Sequence, residues 1–92
     1  MALKANFTII DPIGIHARPA MKIVQVASRF SSNLSINFNG KTANLKSIMN
    51  LMALGILTNS HVEIVADGRD EKDALEEIKK VMILEKVINN VE

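Results

Sequence analysis

Hydrophobic and polar residues alternate in three stretches of the chain, and this period of two predicts strands with one dry face. The stretches cover residues 3–9, 34–38 and 61–67. The dipeptide Asn39-Gly40 follows the second stretch and is typical of a tight hairpin, because both residues tolerate positive φ. Residues 41–44 are therefore predicted to form a short returning strand.

Three other stretches place apolar residues at helical spacing. We expect one helix over residues 17–30, beginning close to Ala17 because Pro19 is tolerated only in a helix's first turn. A short helix is expected over residues 47–54, and a third follows Asp70, which we expect to cap it. The apolar stripe of the third helix consists of Ala74, Leu75, Ile78, Val81 and Met82.

The resulting order, β-α-β-β-α-β-α, predicts an α+β fold. Strands with one dry face need cover on that face only, so the expected architecture is an open-faced β-sandwich with its other face in water. The 92 residues, 48% of them hydrophobic, suffice for one core. We therefore expect a single domain over residues 1–92.

Composition excludes several classes of function. The chain has no Cys, which rules out disulfides, thiol catalysis and thiolate metal sites, and His61 has no acidic or histidine neighbours that would form a metal site. A net charge of +1 without blocks of like charge speaks against nucleic-acid binding. With no signal peptide and no apolar run near the ~20 residues of a membrane span, we expect a cytoplasmic protein that inserts into no membrane.

The candidate chemistry lies where the first helix begins. His16 falls on or beside the N-cap, and the N–H groups of Ala17 and Arg18 have no evident local acceptor, so they form an anion site. The Arg18 guanidinium matches phosphate oxygens in bidentate fashion. These residues predict a nucleophilic histidine beside a phosphate-binding cradle. On these residues alone, an exposed loop histidine near an unrelated arginine remains the alternative.

Residues 14–20, Gly-Ile-His-Ala-Arg-Pro-Ala, resemble the active site of the HPr family, the histidine-containing phosphocarriers of the bacterial phosphoenolpyruvate-dependent sugar phosphotransferase system. Residues 45–55 form a second HPr-like block, and the resemblance covers essentially the whole chain. It implies a four-stranded antiparallel sheet in the order 1-4-2-3 with three helices on one face. It further implies that His16 takes phosphate on Nδ1 from enzyme I and passes it to enzyme IIA domains, with Arg18 stabilising the phosphate. Such a protein needs no cofactor and is a phosphotransfer intermediate rather than a turnover enzyme.

The resemblance also implies a second site at Ser47. In Gram-positive-type members of the family, a serine in this Lys-Ser-Ile-Met context is phosphorylated by HPr kinase/phosphorylase. A phosphate at a helix N-terminus suits the helix dipole, so its charge would hinder partner docking rather than unfold the helix. The alternative is that Ser47 is only an N-cap. Asn50 stands where many members have Gly, which bears on recognition by the kinase and other partners.

The short helix carries more apolar residues than one core-facing side accommodates. We expect Leu51 and Leu54 to point inward and Ile48, Met49 and Met52 to reach the surface as a docking patch for several partners. A fully buried small helix is the alternative. The expected carrier is a monomer.

Two other functions compete with the phosphocarrier. A purely regulatory protein-binding module of the same fold would act through Ser47 and the methionines, but the regulatory relative of HPr has glutamine in place of the histidine, so His16 argues against it. An RNA-binding α+β domain would need aromatic residues on the open sheet face. The chain has no Tyr or Trp, and Phe7 and Phe38 are in the inward register.

Overall fold

The computed structural model describes residues 2–89, and its elements occur in the predicted order. The strands are β1 (Leu3–Thr8), β2 (Asn33–Phe38), β3 (Lys41–Asn44) and β4 (His61–Asp67). The helices are α1 (Ala17–Ala27), α2 (Ile48–Ala53) and α3 (Glu71–Leu84). The predicted order β-α-β-β-α-β-α is confirmed.

The four strands form one antiparallel sheet in the order β1-β4-β2-β3. In this order β4 lies between β1 and β2, so Ile64 is paired with Ala5 on one side and with Ile36 on the other. Asn39 (φ 52°) and Gly40 (φ 79°) make the turn between β2 and β3 in the left-handed conformation that the dipeptide predicted.

The three helices cover one face of the sheet. The alternation in β4 directs Val62, Ile64 and Ala66 into the core, where each is at most 2% exposed. The helices contribute the opposing layer, in which α1 packs against α3 and α2, and α3 also packs against β1 and β4. The buried helical residues are Pro19, Ala20, Ile23 and Ala27 of α1, Leu51 of α2, and Ala74, Ile78 and Met82 of α3.

The opposite face of the sheet carries a chain of polar side chains. Thr42 Oγ1 donates to Asn37 Oδ1 (2.6 Å), and Asn37 Nδ2 donates to Glu63 Oε1 (2.9 Å). Phe7 is buried and Phe38 packs against the core, as their inward register predicted. Within residues 2–89 the open face therefore lacks the aromatic platform that an RNA-binding sheet needs.

Helix α1 ends at Ala27, three residues before the predicted end. The N–H groups of Arg29 and Phe30 donate to the carbonyls of Val26 and Ala27, so the last turn tightens to i→i−3 bonds. Lys46 Nζ then donates to the Phe30 carbonyl (2.6 Å).

None of the helices within residues 2–89 has the length and apolar character needed to cross a bilayer.

Asp70 occupies the N-cap position of α3, but the expected side-chain cap is wrong. Its carboxylate instead accepts the N–H groups of Ser31 (2.9 Å) and Ser32 (2.9 Å) and the Ser32 hydroxyl (2.5 Å). These bonds, the Ser32 hydroxyl first, lower the pKa of Asp70 to about 2. The side chain thus joins the start of α3 to the start of β2.

Candidate functional site

His16 is the N-cap residue of α1. Its backbone is extended (φ −102°, ψ −177°), and its carbonyl accepts the N–H of Ala20 (3.1 Å), which begins the helical hydrogen-bond pattern. The imidazole makes no capping hydrogen bond and its side chain is 35% exposed. The predicted position is therefore confirmed, and the ring is open to an incoming reactant.

The first turn of α1 presents unsatisfied donors. Within residues 2–89, the N–H groups of Ala17 and Arg18 find no hydrogen-bond acceptor, and Pro19 has no N–H to offer. In the same part of the chain, the exposed Arg18 guanidinium makes neither an ion pair nor a hydrogen bond. Two N–H groups at the positive end of a helix and an uncommitted guanidinium are suited to hold an anion.

A tight turn anchored by Asp11 leads into His16. The Asp11 carbonyl accepts the N–H of Gly14 (2.8 Å), and its Oδ1 accepts the N–H of Ile13 (2.9 Å), which is an Asx-turn. The second carboxylate oxygen, Oδ2, lies 3.5 Å from Nε2 of His16. Asp11 has no role among the predicted site residues, although an Asx-turn residue placed five positions before the histidine was a usable signal.

Gly14 connects the histidine loop to the segment after α2. It has φ +82°, and its backbone lies against Ile56 and Leu57. The neighbouring Ile15 N–H donates to the Ile56 carbonyl (3.1 Å). The position of His16 is therefore tied to the end of the helix that Ser47 begins.

Ser47 is the N-cap residue of α2. Its backbone is extended (φ −123°, ψ 114°), and its Oγ accepts the N–H of Asn50 (3.2 Å). The side chain is half-buried. The structural role expected of Ser47 is confirmed, while its phosphorylation stays a prediction.

The apolar residues of α2 divide between core and surface. Leu51 and Leu54 are buried, whereas Met49 is 80% and Met52 38% exposed. Ile48 is partly buried, because it packs against the core.

The sequence did not predict three further exposed apolar side chains. Ile13 and Leu57, which are 68% and 66% exposed, flank the contact between Gly14 and the segment after α2. Met21 on α1 is 50% exposed. These three side chains lie in the histidine loop, on α1 and in the segment after α2, whereas Leu3 on β1 and Leu84 at the end of α3 are also exposed.

The second histidine lies elsewhere. His61 is exposed at the start of β4, with its Nδ1 3.0 Å from Thr8 Oγ1 across the β1–β4 pair. No cluster of three or more His, Asp or Glu side chains in residues 2–89 has an arrangement that would hold a metal ion.

A four-stranded antiparallel sheet covered by three helices, with a histidine at the open N-terminus of the first helix, defines a histidine-phosphocarrier class of protein. The chain matches the family model described as the PTS HPr component phosphorylation site over residues 3–83. The protein belongs to the HPr family of the phosphotransferase system.

Relatives of known identity agree with this assignment. The chain is 49% identical over 80 residues to the phosphocarrier protein HPr of Mycoplasma capricolum, covering 87% of this chain and 90% of that protein. A solved structure of a Mycoplasma histidine-containing phosphocarrier superimposes with a TM-score of 0.95 at 45% identity, covering 96% of this chain and all of the other. Crh, a catabolite-repression protein of Bacillus subtilis, has a TM-score of 0.71 at 40% identity over 80% of this chain and 85% of its own. That crystal structure is described as a dimer with a swapped domain.

Proposed function

We propose that this protein accepts a phosphoryl group from enzyme I on Nδ1 of His16 and transfers it to enzyme IIA domains during sugar uptake. The observation that carries the proposal is the arrangement at the start of α1. There the His16 ring makes no capping bond, while the N–H groups of Ala17 and Arg18 and the Arg18 guanidinium have no partner among residues 2–89. A phosphohistidine formed at this point has donors ready for its oxygens.

The transfer needs no resident cofactor. The lone pair of Nδ1 attacks phosphorus, the N–P bond forms, and the bond to the donor atom breaks with its electron pair leaving on the donor. Phosphoryl transfer depends mainly on positioning and charge stabilisation. The helix N-terminus and Arg18 therefore supply most of what this protein contributes to stabilising the transferred group. The next acceptor takes the phosphoryl group in the same way, which restores His16. The protein is then a shared phosphotransfer intermediate of two partners rather than a turnover enzyme.

The test is mass spectrometry after incubation with phosphoenolpyruvate and enzyme I from the same organism. We expect one acid-labile phosphoryl group, mapped to His16 and lost in His16→Ala. His61→Ala is the matched control, because it removes the other histidine of the chain and should leave labelling intact. Folded wild-type protein that takes up no phosphoryl group, or a group that maps to His61, would contradict the proposal.

We also propose that Ser47 is a regulatory phosphorylation site for an HPr kinase/phosphorylase. Its position supports this, since the start of α2 is linked through the segment at Ile56 to the loop that carries His16. A phosphate there would place negative charge beside the exposed methionines that partners would contact. A purely regulatory module of the same fold remains the alternative, and a His16→Ala variant with full biological function would favour it.

The proposed docking surface for enzyme I and the enzyme IIA domains comprises Ile48, Met49 and Met52. The exposure of the two methionines supports this role more than does the half-buried Ile48. Flexible thioether side chains adapt to partners of different shape. We further propose that the carrier is a cytoplasmic protein formed by one domain. We also propose that it acts as a monomer, since one chain supplies His16, Arg18 and the docking side chains.

A further inference from the structure

The carboxylate of Asp11 faces the ring nitrogen of His16 that the proposed transfer leaves unmodified. We propose that Asp11 is a positioning residue that holds the imidazole proton on Nε2 and so leaves the lone pair on Nδ1. The observation is the 3.5 Å separation between Asp11 Oδ2 and His16 Nε2. This inference rests on the proposed function of His16 and adds a residue to its site.

Only one donor–acceptor arrangement is possible for this contact, in which the ring N–H donates and the carboxylate accepts. A neutral imidazole has one N–H nitrogen and one lone-pair nitrogen, and an ionised carboxylate is an acceptor only. The Ile13 N–H already occupies Oδ1, so Oδ2 is the oxygen left to face the ring. An acceptor beside Nε2 favours the tautomer with its proton there. Nδ1 is then the nucleophile.

Charge makes the contact stronger as the phosphoryl group arrives. When the Nδ1–P bond forms and the bond to the donor breaks, the proton stays on Nε2 and the ring acquires positive charge. The side chain of Asp11 is only 15% exposed, so solvent screens its interaction with that charge incompletely. At 3.5 Å the contact is longer than a normal hydrogen bond, and we expect it to shorten as the ring becomes cationic. A contact that strengthens toward the transition state accelerates transfer.

The Asx-turn provides a discriminating substitution. In Asp11→Asn, the amide oxygen must still accept the Ile13 N–H, which directs the amide NH2 toward Nε2. A donor facing Nε2 requires a lone pair on that nitrogen, so the proton should move to Nδ1. In Asp11→Ser, the hydroxyl can preserve the turn but is too short also to reach the ring. Asp67→Asn, at the exposed end of β4, controls for loss of one negative charge.

The decisive measurement is ¹⁵N NMR of the unphosphorylated proteins at alkaline pH, where the ring has a single proton. We expect that proton on Nε2 in wild type and in Asp67→Asn, and a shift of the population toward Nδ1–H in Asp11→Asn. Identical ring ¹⁵N shifts in wild type and Asp11→Asn would overturn the proposal. This readout involves no phosphoryl transfer, so it separates a failure of the Asp11 assignment from a failure of the proposed carrier function.

The rate of His16 phosphorylation by enzyme I supplies the second measurement. Asp11→Asn should slow it roughly two- to fivefold at low salt, as expected for one partly exposed charged contact, and Asp11→Ser should slow it less. The difference between wild type and Asp11→Asn should narrow at high salt. Equal rates in wild type and Asp11→Asn, with both proteins folded, would also overturn the positioning role.

Discussion

Gly14 packs its backbone directly against the carbonyl oxygen of Ile56, so a Cβ at Gly14 would overlap that oxygen and come within 2.9 Å of the Leu57 Cα. The same carbonyl accepts the Ile15 N–H (3.1 Å). Two backbone segments are thus held together at the two residues that precede the histidine. Because both neighbours are backbone atoms, neither can move aside as the end of a flexible side chain could.

Gly14→Ala should therefore destabilise the fold and displace His16. The new methyl group meets the Ile56 backbone and the residue must keep φ +82°, so we expect a loss of at least about 2 kcal/mol in the free energy of unfolding. Gly40→Ala is the matched control, since it has a similar φ of +79° but open space around its Cβ, and it should lose only about 1 kcal/mol. Urea denaturation measures both, and equal losses would show that the contact with Ile56 has no effect.

Arg18→Ala should slow phosphorylation of His16 without affecting folding. A hydrogen bond to a charged group contributes about 1.5–3 kcal/mol, which corresponds to a roughly ten- to hundredfold lower rate. The free energy of unfolding should remain unchanged, because within residues 2–89 the exposed guanidinium has no partner. Arg18→Lys should recover part of the rate, since it restores charge without the bidentate fork. Single-turnover kinetics with phosphorylated enzyme I measures the rates, with exposed Arg29→Ala as control. If Arg18→Ala were phosphorylated at the wild-type rate, Arg18 would have no role in the site.

Substitutions at Ser47 should separate its capping role from its proposed regulatory role. Ser47→Ala loses the bond from the Asn50 N–H and should destabilise the protein by about 1 kcal/mol while still accepting phosphate on His16. Ser47→Asp keeps a capping oxygen and adds charge, so it should fold normally but slow transfer from enzyme I. Incubation with HPr kinase and ATP should label wild type and not Ser47→Ala. An unmodified wild-type Ser47 after that incubation would count against the regulatory site.

The docking proposal is tested by Met49→Glu. Because Met49 is 80% exposed, the substitution should leave stability unchanged but raise the KM for transfer from enzyme I roughly five- to tenfold. Leu84→Glu is the matched control, since Leu84 is 77% exposed at the other end of the chain, on α3, and its substitution should change neither quantity. Steady-state kinetics gives KM and kcat for both. If Met49→Glu and Leu84→Glu had the same KM, the partners would not dock on Met49.

Local patterns were sufficient to predict the elements and their order. The alternation over residues 61–67 gave β4 with correct bounds, because each second residue faces the core and Asp67-Gly68 interrupts the pattern. The predicted end of α1 was wrong because Phe30 is apolar at a compatible spacing. After Ala27 the chain forms i→i−3 bonds, and the Phe30 carbonyl accepts a bond from Lys46, which lies 16 residues away and is invisible to a local pattern.

Within the site, the sequence predicted the features that are determined by residues adjacent in the chain. It placed His16 at the helix start and Ser47 at the next one, since caps and prolines act over a few positions. It could not foresee that Gly14 would meet Ile56, because the chain between them folds through two strands and two helices. The contact between Asp11 and the His16 ring was missed for a similar reason, since it depends on the direction of both side chains across the turn.

The bonds of Asp70 also could not be predicted from local sequence, because its partners are distant in the chain. They lead to a prediction about stability in acid. Its partners Ser31 and Ser32 lie 39 and 38 residues earlier, and their bonds lower its pKa from 3.8 to about 2. A carboxyl whose pKa is lower in the folded state stabilises the fold fully above pH 3.8. That contribution is lost as pH falls from 3.8 to about 2, because the unfolded chain takes up the proton first.

Asp70→Asn should therefore lower the free energy of unfolding at neutral pH and flatten its decline between pH 3.8 and about 2. Ser32→Ala should have the same effect in part, because it removes the hydroxyl bond that lowers the pKa of Asp70 most but retains both backbone N–H bonds. Urea denaturation of the three proteins across this pH range measures the slopes. Parallel curves for wild type and Asp70→Asn would show that the link between α3 and β2 contributes nothing to acid stability, and that other carboxylates govern it.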